Sequence, residues 1–449
     1  MKHFFYKGSS EVLKEKKDIT FDDTINLVKK EFAKVLESRN LSFLIGSGCS
    51  LGNGGIPTMK ELAQNFFAPT EQVLNKMSAV LKKLVLTSDC KQIVTELGIH
   101  IDNEPFNSNL ETFLGTLYSL RYYYLQINND AELGKVEKVI TQTKSYILYQ
   151  CLNTDNKNND GEISGNYKNF YRKLSLRDSN LPKPNIFSTN YDLYSERAMD
   201  ELGITYTNGF SGFIERYFNP SIFNYALAEQ MDISSFKWNV IDSFIYLFKI
   251  HGSVNWVEVE DSNKLFKIKE LQESDFDTLR KQSNLMIYPS PIKQNASLGT
   301  PYSDLFREFQ KRIAQKQSIL VTMGYSFSDE HINNLIYQDL TIPTFRLVVF
   351  SELGYYKGDK YSLVKANIDR IAKLNDPRIW IIGSDEEFKD DDKWEKVNPE
   401  MGLYYFNTIA NVLLPDWSEN QIEEKNDKII EMMKAVVSSG SKNPSNDQG

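Results

Sequence analysis

The sequence predicts an α/β protein with a doubly wound, mainly parallel sheet, a helical insertion domain and a helical C-terminal tail. The first observation is a series of short apolar runs, most of them followed by Gly, Ser or Asn and then by a helical pattern, which is typical of alternating strands and helices. These runs cover residues 41–45, 185–187, 246–250, 285–288, 319–323, 346–350 and 379–382. The second is that strand patterns almost vanish between residues 68 and 180, where long helix-period segments replace them.

Size and composition exclude several classes of protein. A chain of 449 residues is long enough for about two to three domains. Its 52 Lys and Arg against 60 Asp and Glu give a net charge of −8, so direct nucleic-acid binding is not expected. The three cysteines form no C-x-x-C pair, which excludes a disulfide framework and a four-cysteine zinc site. Because no apolar stretch is long enough to cross a bilayer, we expect a cytoplasmic protein without a membrane segment.

The chain is predicted to begin with an arm followed by an amphipathic helix over residues 21–38. The apolar face of that helix comprises Phe21, Ile25, Val28, Phe32 and Val35. A second helix is predicted to start at Thr58, because Thr58 and Glu61 have the spacing of a capping box.

These patterns divide the chain into five parts. The parts are an N-terminal arm and helix (1–39), a core (40–67 and 181–350), a helical insertion domain (68–180), a C-terminal α/β extension (351–437) and a disordered tail (438–449). A polar loop is predicted at 153–165, and C-terminal helices are predicted at 401–414 and 421–437.

The first predicted strand ends in Gly46-Ser47-Gly48-Cys49-Ser50, a turn typical of Rossmann-like nucleotide-binding units. Such a turn lets a pyrophosphate approach backbone N–H groups near a helix N-terminus. The segment 54–57, which ends in Pro57, is expected to form a second wall of the same pocket. The alternative is a tight strand-to-helix corner with no ligand, and the pattern alone favours neither.

Two further strands end in polar residues. Ser188-Thr189-Asn190-Tyr191-Asp192 follows one strand, at the edge where open α/β sheets bind ligands. Alternatively, Asp192 only caps the next helix and Asn190 only closes a turn. Another strand ends in Lys249-Ile250-His251-Gly252-Ser253, and histidine exchanges a proton near neutral pH. A structural role in a turn is the alternative for His251.

The fourth motif, Met323-Gly324-Tyr325-Ser326-Phe327-Ser328-Asp329, is another strand-to-helix turn, in which Asp329 is a candidate helix cap. His331 is expected on the helix surface rather than in catalysis. In this order the four motifs resemble those of the sirtuin-like family, specifically its bacterial branch of NAD-consuming antiphage defence proteins. The resemblance covers residues 40–350 without the insertion.

The resemblance implies a role for each matched residue near the first turn. Gly46, Ser47, Gly48 and Ser50 match the loop that holds the NAD pyrophosphate. Pro57 follows in the G-G-I-P segment as a further candidate for cofactor binding.

The remaining matches imply the reaction centre and the far end of the dinucleotide. Asn190 and Asp192 match the residues beside the nicotinamide ribose, and His251 matches the catalytic histidine. The candidate cofactor-binding residues beyond the first turn are Ser188, Thr189, Gly324 and Ser326, the last two on the adenosine side.

Two departures weaken a protein-deacylating function. Deacylating sirtuins carry Asp-Phe-Arg after G-I-P, whereas here Thr58, Met59 and Lys60 follow, and they carry a four-cysteine zinc module that this chain cannot form. Water is then the natural nucleophile, positioned by Asn190, with His251 as proton acceptor. Asp192 binds ribose or only caps a helix. No metal is expected, because the leaving group departs without protonation.

We therefore expect an NAD hydrolase that yields nicotinamide and ADP-ribose and acts as an NAD-depleting effector in antiphage abortive infection. The alternatives are a divergent NAD-dependent deacylase and a module that senses NAD or ADP-ribose without turnover. Because free NAD destruction would kill the cell, we expect a homo-oligomer controlled by a partner, with a HerA-type ATPase as first candidate. The expected assembly surfaces are the N-terminal arm, the insertion and the C-terminal helices.

Overall fold

The structure is a computed structural model that describes residues 2–13, 20–153, 161–178, 180–230, 238–241, 244–259, 267–272, 275–282, 284–286, 300–357, 360–388 and 402–415. Its strands are β1 (Lys2–Lys7), β2 (Ser10–Glu11), β3 (Asn40–Ile45), β4 (Asn185–Ser188), β5 (Thr205–Thr207), β6 (Phe210–Ser211), β7 (Arg216–Phe218), β8 (Ala228–Gln230), β9 (Trp238–Val240), β10 (Phe244–Lys249), β11 (Gly252–Glu258), β12 (Ile268–Glu270), β13 (Asn284–Met286), β14 (Ser318–Met323), β15 (Arg346–Phe350), β16 (Gly354–Lys357), β17 (Lys360–Leu363) and β18 (Ile379–Phe388). Its α-helices are α1 (Phe21–Leu36), α2 (Met59–Phe67), α3 (Glu71–Lys76), α4 (Ala79–Leu84), α5 (Ser88–Glu96), α6 (Leu110–Gln126), α7 (Asp130–Leu152), α8 (Gly161–Ser175), α9 (Tyr194–Leu202), α10 (Phe276–Leu279), α11 (Tyr302–Ile313), α12 (Glu330–Asp339), α13 (Ala366–Ala372) and α14 (Phe406–Thr408).

The main sheet has the spatial order β17-β16-β18-β15-β14-β3-β4-β10-β5. Every neighbouring pair from β16 to β5 along this path is parallel, whereas β17 joins β16 in antiparallel fashion, as does β1 with β18. The predicted mainly parallel α/β fold is therefore confirmed.

Four parallel strands end at one edge of this sheet. The register pairs Met323 of β14 with Ile45 of β3, Ile45 with Ser188 of β4, and Ser188 with Lys249 of β10. The segments that follow these four strands are the four motifs found in the sequence. Strand register alone therefore brings the motifs together at the carboxyl edge, where open α/β sheets bind ligands.

Helices cover both faces of the sheet. On one face, buried side chains of α1, α8 and α9 pack with those of β3, including Phe32, Phe43, Phe170 and Met199. On the other face, α11, α12 and α13 pack against residues such as Phe187 and Leu320 of the sheet. As predicted, α1 buries Ile25, Val28, Phe32 and Val35, while Phe21 is half-buried. Each such buried side chain contributes about 1.5–3 kcal/mol to the free energy of folding.

Between β3 and β4 the described residues form helices only. Phe66 of α2, Phe113 of α6 and Ile147 of α7 share a second apolar core with residues of the other helices. The predicted capping box of α2 is present, with Thr58 Oγ1 accepting from the Glu61 N–H group and Glu61 accepting from the Thr58 N–H group. The predicted polar loop 153–165 is too long, because α8 already begins at Gly161. The proposed domain boundaries stay predictions.

A five-stranded antiparallel sheet, ordered β13-β11-β12-β7-β6, was not predicted from the sequence. Residues 285–288 were expected in the parallel sheet, but β13 pairs antiparallel with β11 in this second sheet. Outside β11 its strands are only two or three residues long, which is too short for a period-two pattern to stand out.

The two ends of the described chain also differ from expectation. The predicted N-terminal arm is instead β1, whose residues 2–7 pair with β18 and whose Phe5 is fully buried. The predicted helix 401–414 is much shorter, with only α14 and a π-helical turn over Ile409–Leu413. The predicted helix 421–437 and tail 438–449 lie outside the described residues. Within the described part of the chain, no helix combines the length and the apolar character that crossing a membrane needs.

Candidate functional site

A cavity of about 570 Å³ lies where the four motifs meet. A volume of this size is ordinary for a small-molecule site, for which about 300–1,000 Å³ is typical. Its wall includes these residues predicted from the sequence: Ser47, Ser50, Pro57, Thr189, Asn190, Asp192, His251, Gly324 and Ser326. Gly46, Gly48 and Ser188 lie next to the wall in sequence but do not line it.

The turns after β3 and β14 pack against each other backbone to backbone. A Cβ atom on Gly46 would lie 2.4 Å from Gly324 O, and one on Gly324 would lie 2.5 Å from Cys49 N. Gly324 also has a φ of +60°, which disfavours any residue with a side chain. The close packing of the two turns therefore explains why glycine occupies these positions, whether or not a ligand binds.

The same contact uses the amide groups that were expected to hold a pyrophosphate. The Gly46 N–H group donates to Met323 O and the Gly48 N–H group donates to Gly324 O, each at 2.9 Å. A diphosphate bound here would have to use other donors, and the hydroxyl of Ser47 is one such group in the wall.

Asn190 lies directly after β4 and is 6% exposed. Its Nδ2 donates at 3.1 Å to Gly46 O and at 3.1 Å to Ser50 Oγ, and its backbone N–H group donates to Ser188 Oγ. The carbonyl Gly46 O accepts only, so it fixes which end of the amide faces it. The other end, Oδ1, is buried without a hydrogen-bond partner among the described residues.

Asp192 is held by both of its carboxylate oxygens. Oδ2 accepts a 2.8 Å hydrogen bond from Ser50 Oγ, and Oδ1 accepts one of 3.2 Å from the N–H group of Tyr194 at the start of α9. Ser50 Oγ is also 3.0 Å from the hydroxyl of Tyr167 on α8. Asp192 thus lines the cavity and also accepts a hydrogen bond at the start of a helix, while ribose binding by Asp192 stays a prediction.

A buried ion pair lies next to the ends of β4 and β10. Lys249, only 1% exposed, donates to the backbone carbonyl of Asp192, and its Nζ is 3.5 Å from Glu196 Oε1. Burial raises the pKa of Glu196, while the charge of Lys249 opposes that rise. Removing either partner would leave a buried charge uncompensated, which is strongly destabilising.

The side chain of His251 contacts a carboxylate from a different motif, that of Asp329. Its Nε2 is 2.9 Å from Asp329 Oδ2, and the two side chains are 13% and 18% exposed. Asp329 is also the N-cap of α12, as the sequence predicted, with Oδ1 accepting from the N–H groups of His331 and Ile332. His331 is exposed as expected, but it also lines the cavity.

The helical insertion forms a further part of the wall, which the sequence did not predict. Glu111 and Thr112 from the first turn of α6 line the cavity, and Glu111 Oε1 accepts a 2.9 Å hydrogen bond from the hydroxyl of Tyr191. Cys151 of α7 lines it too, but burial raises the pKa of its thiol, which disfavours a thiolate nucleophile. No local motif marks Glu111, because it reaches the cavity only through the tertiary packing of α6.

The charges in the wall are mainly acidic. Glu111, Asp192, Asp329 and Glu330 line the cavity, whereas no lysine or arginine is among its lining residues in the part of the chain the structure describes. A ligand with a positively charged ring and a small net charge therefore suits the wall better than a polyanion. In the same described residues, no group of three or more His, Cys, Asp or Glu is arranged to hold a metal ion.

Comparison with known proteins supports the family that the motifs suggest. A search of curated proteins found no match to this chain. Residues 184–341 match the family model of the SIR2-like domain, and they include Asn190, His251 and Asp329. SIR2-like domains are typically NAD-dependent enzymes, so the match implies NAD use and supports a sirtuin-like family for this chain.

Proposed function

We propose that this protein is an NAD hydrolase that cleaves the bond between nicotinamide and ribose C1′ in the cavity described above. The observation that carries the proposal is the buried Oδ1 of Asn190, an acceptor without a partner in the described structure. A buried acceptor left unsatisfied costs about 1–3 kcal/mol, so its presence needs an explanation. A hydroxyl or water that hydrogen-bonds to it during the reaction supplies one, and this contact requires a shift of the side chains that cover Oδ1.

The network around Asn190 supports a positioning role. Nδ2 is held by two oxygen atoms, Gly46 O and Ser50 Oγ, so the side chain is fixed before any ligand arrives. A fixed acceptor at the carboxyl edge aligns a nucleophile with the sugar without a further loss of entropy. Asp192, linked to the same Ser50 hydroxyl, is suited to hold a ribose hydroxyl.

The proposed reaction balances with water as the only co-reactant. The bond from C1′ to the nicotinamide nitrogen breaks, its electron pair stays on nitrogen, and neutral nicotinamide departs. The oxygen of water bonds to C1′ and loses one proton. His251 accepts this proton, directly or through a ribose hydroxyl, and releases it to solvent. Positive charge develops on the sugar during this step, and the acidic wall stabilises it.

A deacylase is the less favoured alternative. The chain has three cysteines, Cys49, Cys90 and Cys151, and so cannot form the four-cysteine zinc module of the deacylating type. In addition, part of the cavity wall comes from α6 and α7 of the helical insertion. A module that binds NAD without turnover remains the alternative from a different class.

Incubation of NAD with the purified protein separates the three functions. We expect chromatography to show nicotinamide and ADP-ribose in equal amounts without any peptide. Products that form only when an acetylated peptide is added would favour the deacylase. Calorimetric binding of NAD without products, with or without peptide, would favour the sensor. Either of these two results would refute the hydrolase proposal.

We further propose that the protein acts in antiphage defence as an NAD-depleting effector, in a homo-oligomer that a HerA-type ATPase controls. The resemblance to NAD-consuming defence proteins supports this role, and the need to restrain an NAD hydrolase in its own cell requires some control. Light scattering with and without such an ATPase, combined with NAD turnover, tests it. A monomer that hydrolyses NAD fully at nanomolar concentration would contradict it.

A further inference from the structure

The two carboxylate oxygens of Asp329 perform separate tasks. Oδ1 accepts the N–H groups of His331 and Ile332 and so caps α12, while Oδ2 lies 2.9 Å from Nε2 of His251. We propose that Asp329 is the positioning residue of His251, fixing which ring nitrogen accepts the proton. This inference rests on the proposed hydrolase function, in which His251 is the proton acceptor.

The hydrogen bond determines the tautomer of the neutral ring. An ionised carboxylate accepts hydrogen bonds and donates none, so Nε2 of His251 carries the hydrogen atom in this contact. Nδ1 is then the nitrogen with a free lone pair. A ring that exchanged freely between its two tautomers would present this lone pair only part of the time.

The carboxylate also stabilises the product of proton transfer. When Nδ1 accepts the proton released by water, the imidazolium that forms lies next to the charge of Asp329. Because both side chains are largely buried, solvent screens this attraction only partly. The ring of Tyr191 also lies near that of His251, with 6.4 Å between the ring centres, and the hydroxyl of Tyr191 donates to Glu111.

Capping alone is the competing explanation for Asp329. Asparagine caps a helix N-terminus about as well as aspartate, because its Oδ1 accepts the same backbone N–H groups. Asp329→Asn therefore keeps the cap and replaces Oδ2 by an NH₂ group, which cannot accept the hydrogen atom of Nε2. The chain also offers a matched control, Asp275→Asn, at the N-cap of α10 and outside the cavity wall.

Steady-state kinetics of NAD cleavage give the first readout. We expect Asp329→Asn to lower kcat by at least about tenfold, a fraction of what a positioned acid–base group supplies, with KM changed by less than about twofold. Asp275→Asn should leave both constants near wild type. Unchanged kcat in Asp329→Asn would overturn the proposal.

The tautomer gives a second readout that does not require turnover. The chain has four histidines, so ¹⁵N-histidine NMR of the whole protein resolves them, and His251→Gln assigns the signal. In the neutral ring we expect wild-type His251 to carry its hydrogen on Nε2, and we expect Asp329→Asn to lose this preference, because the NH₂ group facing Nε2 can only donate. Hydrogen on Nδ1 in the wild type, or identical patterns in both proteins, would refute the proposal. A fixed Nε2–H tautomer in a protein that cleaves no NAD would refute only the hydrolase function.

Discussion

The hydroxyl of Tyr191 donates a 2.9 Å hydrogen bond to Glu111 Oε1. Tyr191 belongs to the motif after β4, and Glu111 lies in the first turn of α6, so this bond joins the helical insertion to the carboxyl edge of the sheet. Both residues line the cavity. The insertion therefore contributes side chains to the candidate site and does not only pack against the core.

We predict that Glu111 and Tyr191 act as a coupled pair. Tyr191→Phe and Glu111→Ala should each lower kcat/KM, and the double variant should lose no more than the larger single loss, because either change removes the same bond. The coupling energy from the double-mutant cycle should reach about 0.5–3 kcal/mol. Strictly additive losses would show that the two residues act independently.

A second prediction concerns the contact between the turns at Gly46 and Gly324. Gly324→Ala should lower the free energy of unfolding by several kcal/mol, because the new Cβ would lie 2.5 Å from Cys49 N. The control is Gly203→Ala, with a similar φ of +66° but nothing within 4 Å of the new atom. It should cost only about 1 kcal/mol in the same denaturant titration. Equal losses would remove the packing explanation.

Some features of the fold leave a pattern in the local sequence, whereas others depend on tertiary contacts. The helix α1, the capping box at Thr58 and the parallel strands were predictable, because each leaves a pattern within 16 consecutive residues or fewer. The parallel register then brings Asn190 and His251 to one edge without further information. These parts of the fold and of the candidate site follow from the sequence.

Other parts depend on long-range contacts that leave no local pattern. β1 has six residues and joins the main sheet by pairing with β18, almost the whole chain away, while β2 pairs with the end of β1. Glu111 enters the cavity through the packing of α6. The cap at Asp329 was predicted, but its contact with His251 joins positions 78 residues apart. Sequence patterns over a short window cannot contain such relationships.

The third prediction tests which part of the dinucleotide lies near Ser326. If the turn binds the adenosine half, Ser326→Trp should raise KM and largely preserve kcat, because the large ring blocks binding far from the bond that breaks. Ser326 is exposed in the wall, and its Oγ is 2.8 Å from Ser328 Oγ. A lower kcat with unchanged KM would instead assign this turn to the reaction centre, towards Asp329.

The fourth prediction concerns stability and pH. Burial raises the pKa of Glu270 from an ordinary 4.5 to about 7, although Arg216 opposes the rise. Between these values the unfolded chain releases this proton and the folded protein keeps it, so Glu270 contributes stability that is lost as pH rises from 4.5 to about 7. We expect the free energy of unfolding of Glu270→Gln to fall less steeply over this pH range than that of the wild type. Parallel curves for the two proteins would contradict the assignment.

The most direct test of the account is NAD cleavage by Asn190→Ala and His251→Ala, measured as nicotinamide released by the folded proteins. The control is Asn185→Ala, a buried asparagine at the other end of β4 that is not among the cavity-lining residues. We predict that each site variant loses at least about a hundredfold in turnover, whereas Asn185→Ala keeps near wild-type turnover. Near wild-type turnover in both site variants would contradict the assignment of this cavity as the place where NAD is cleaved.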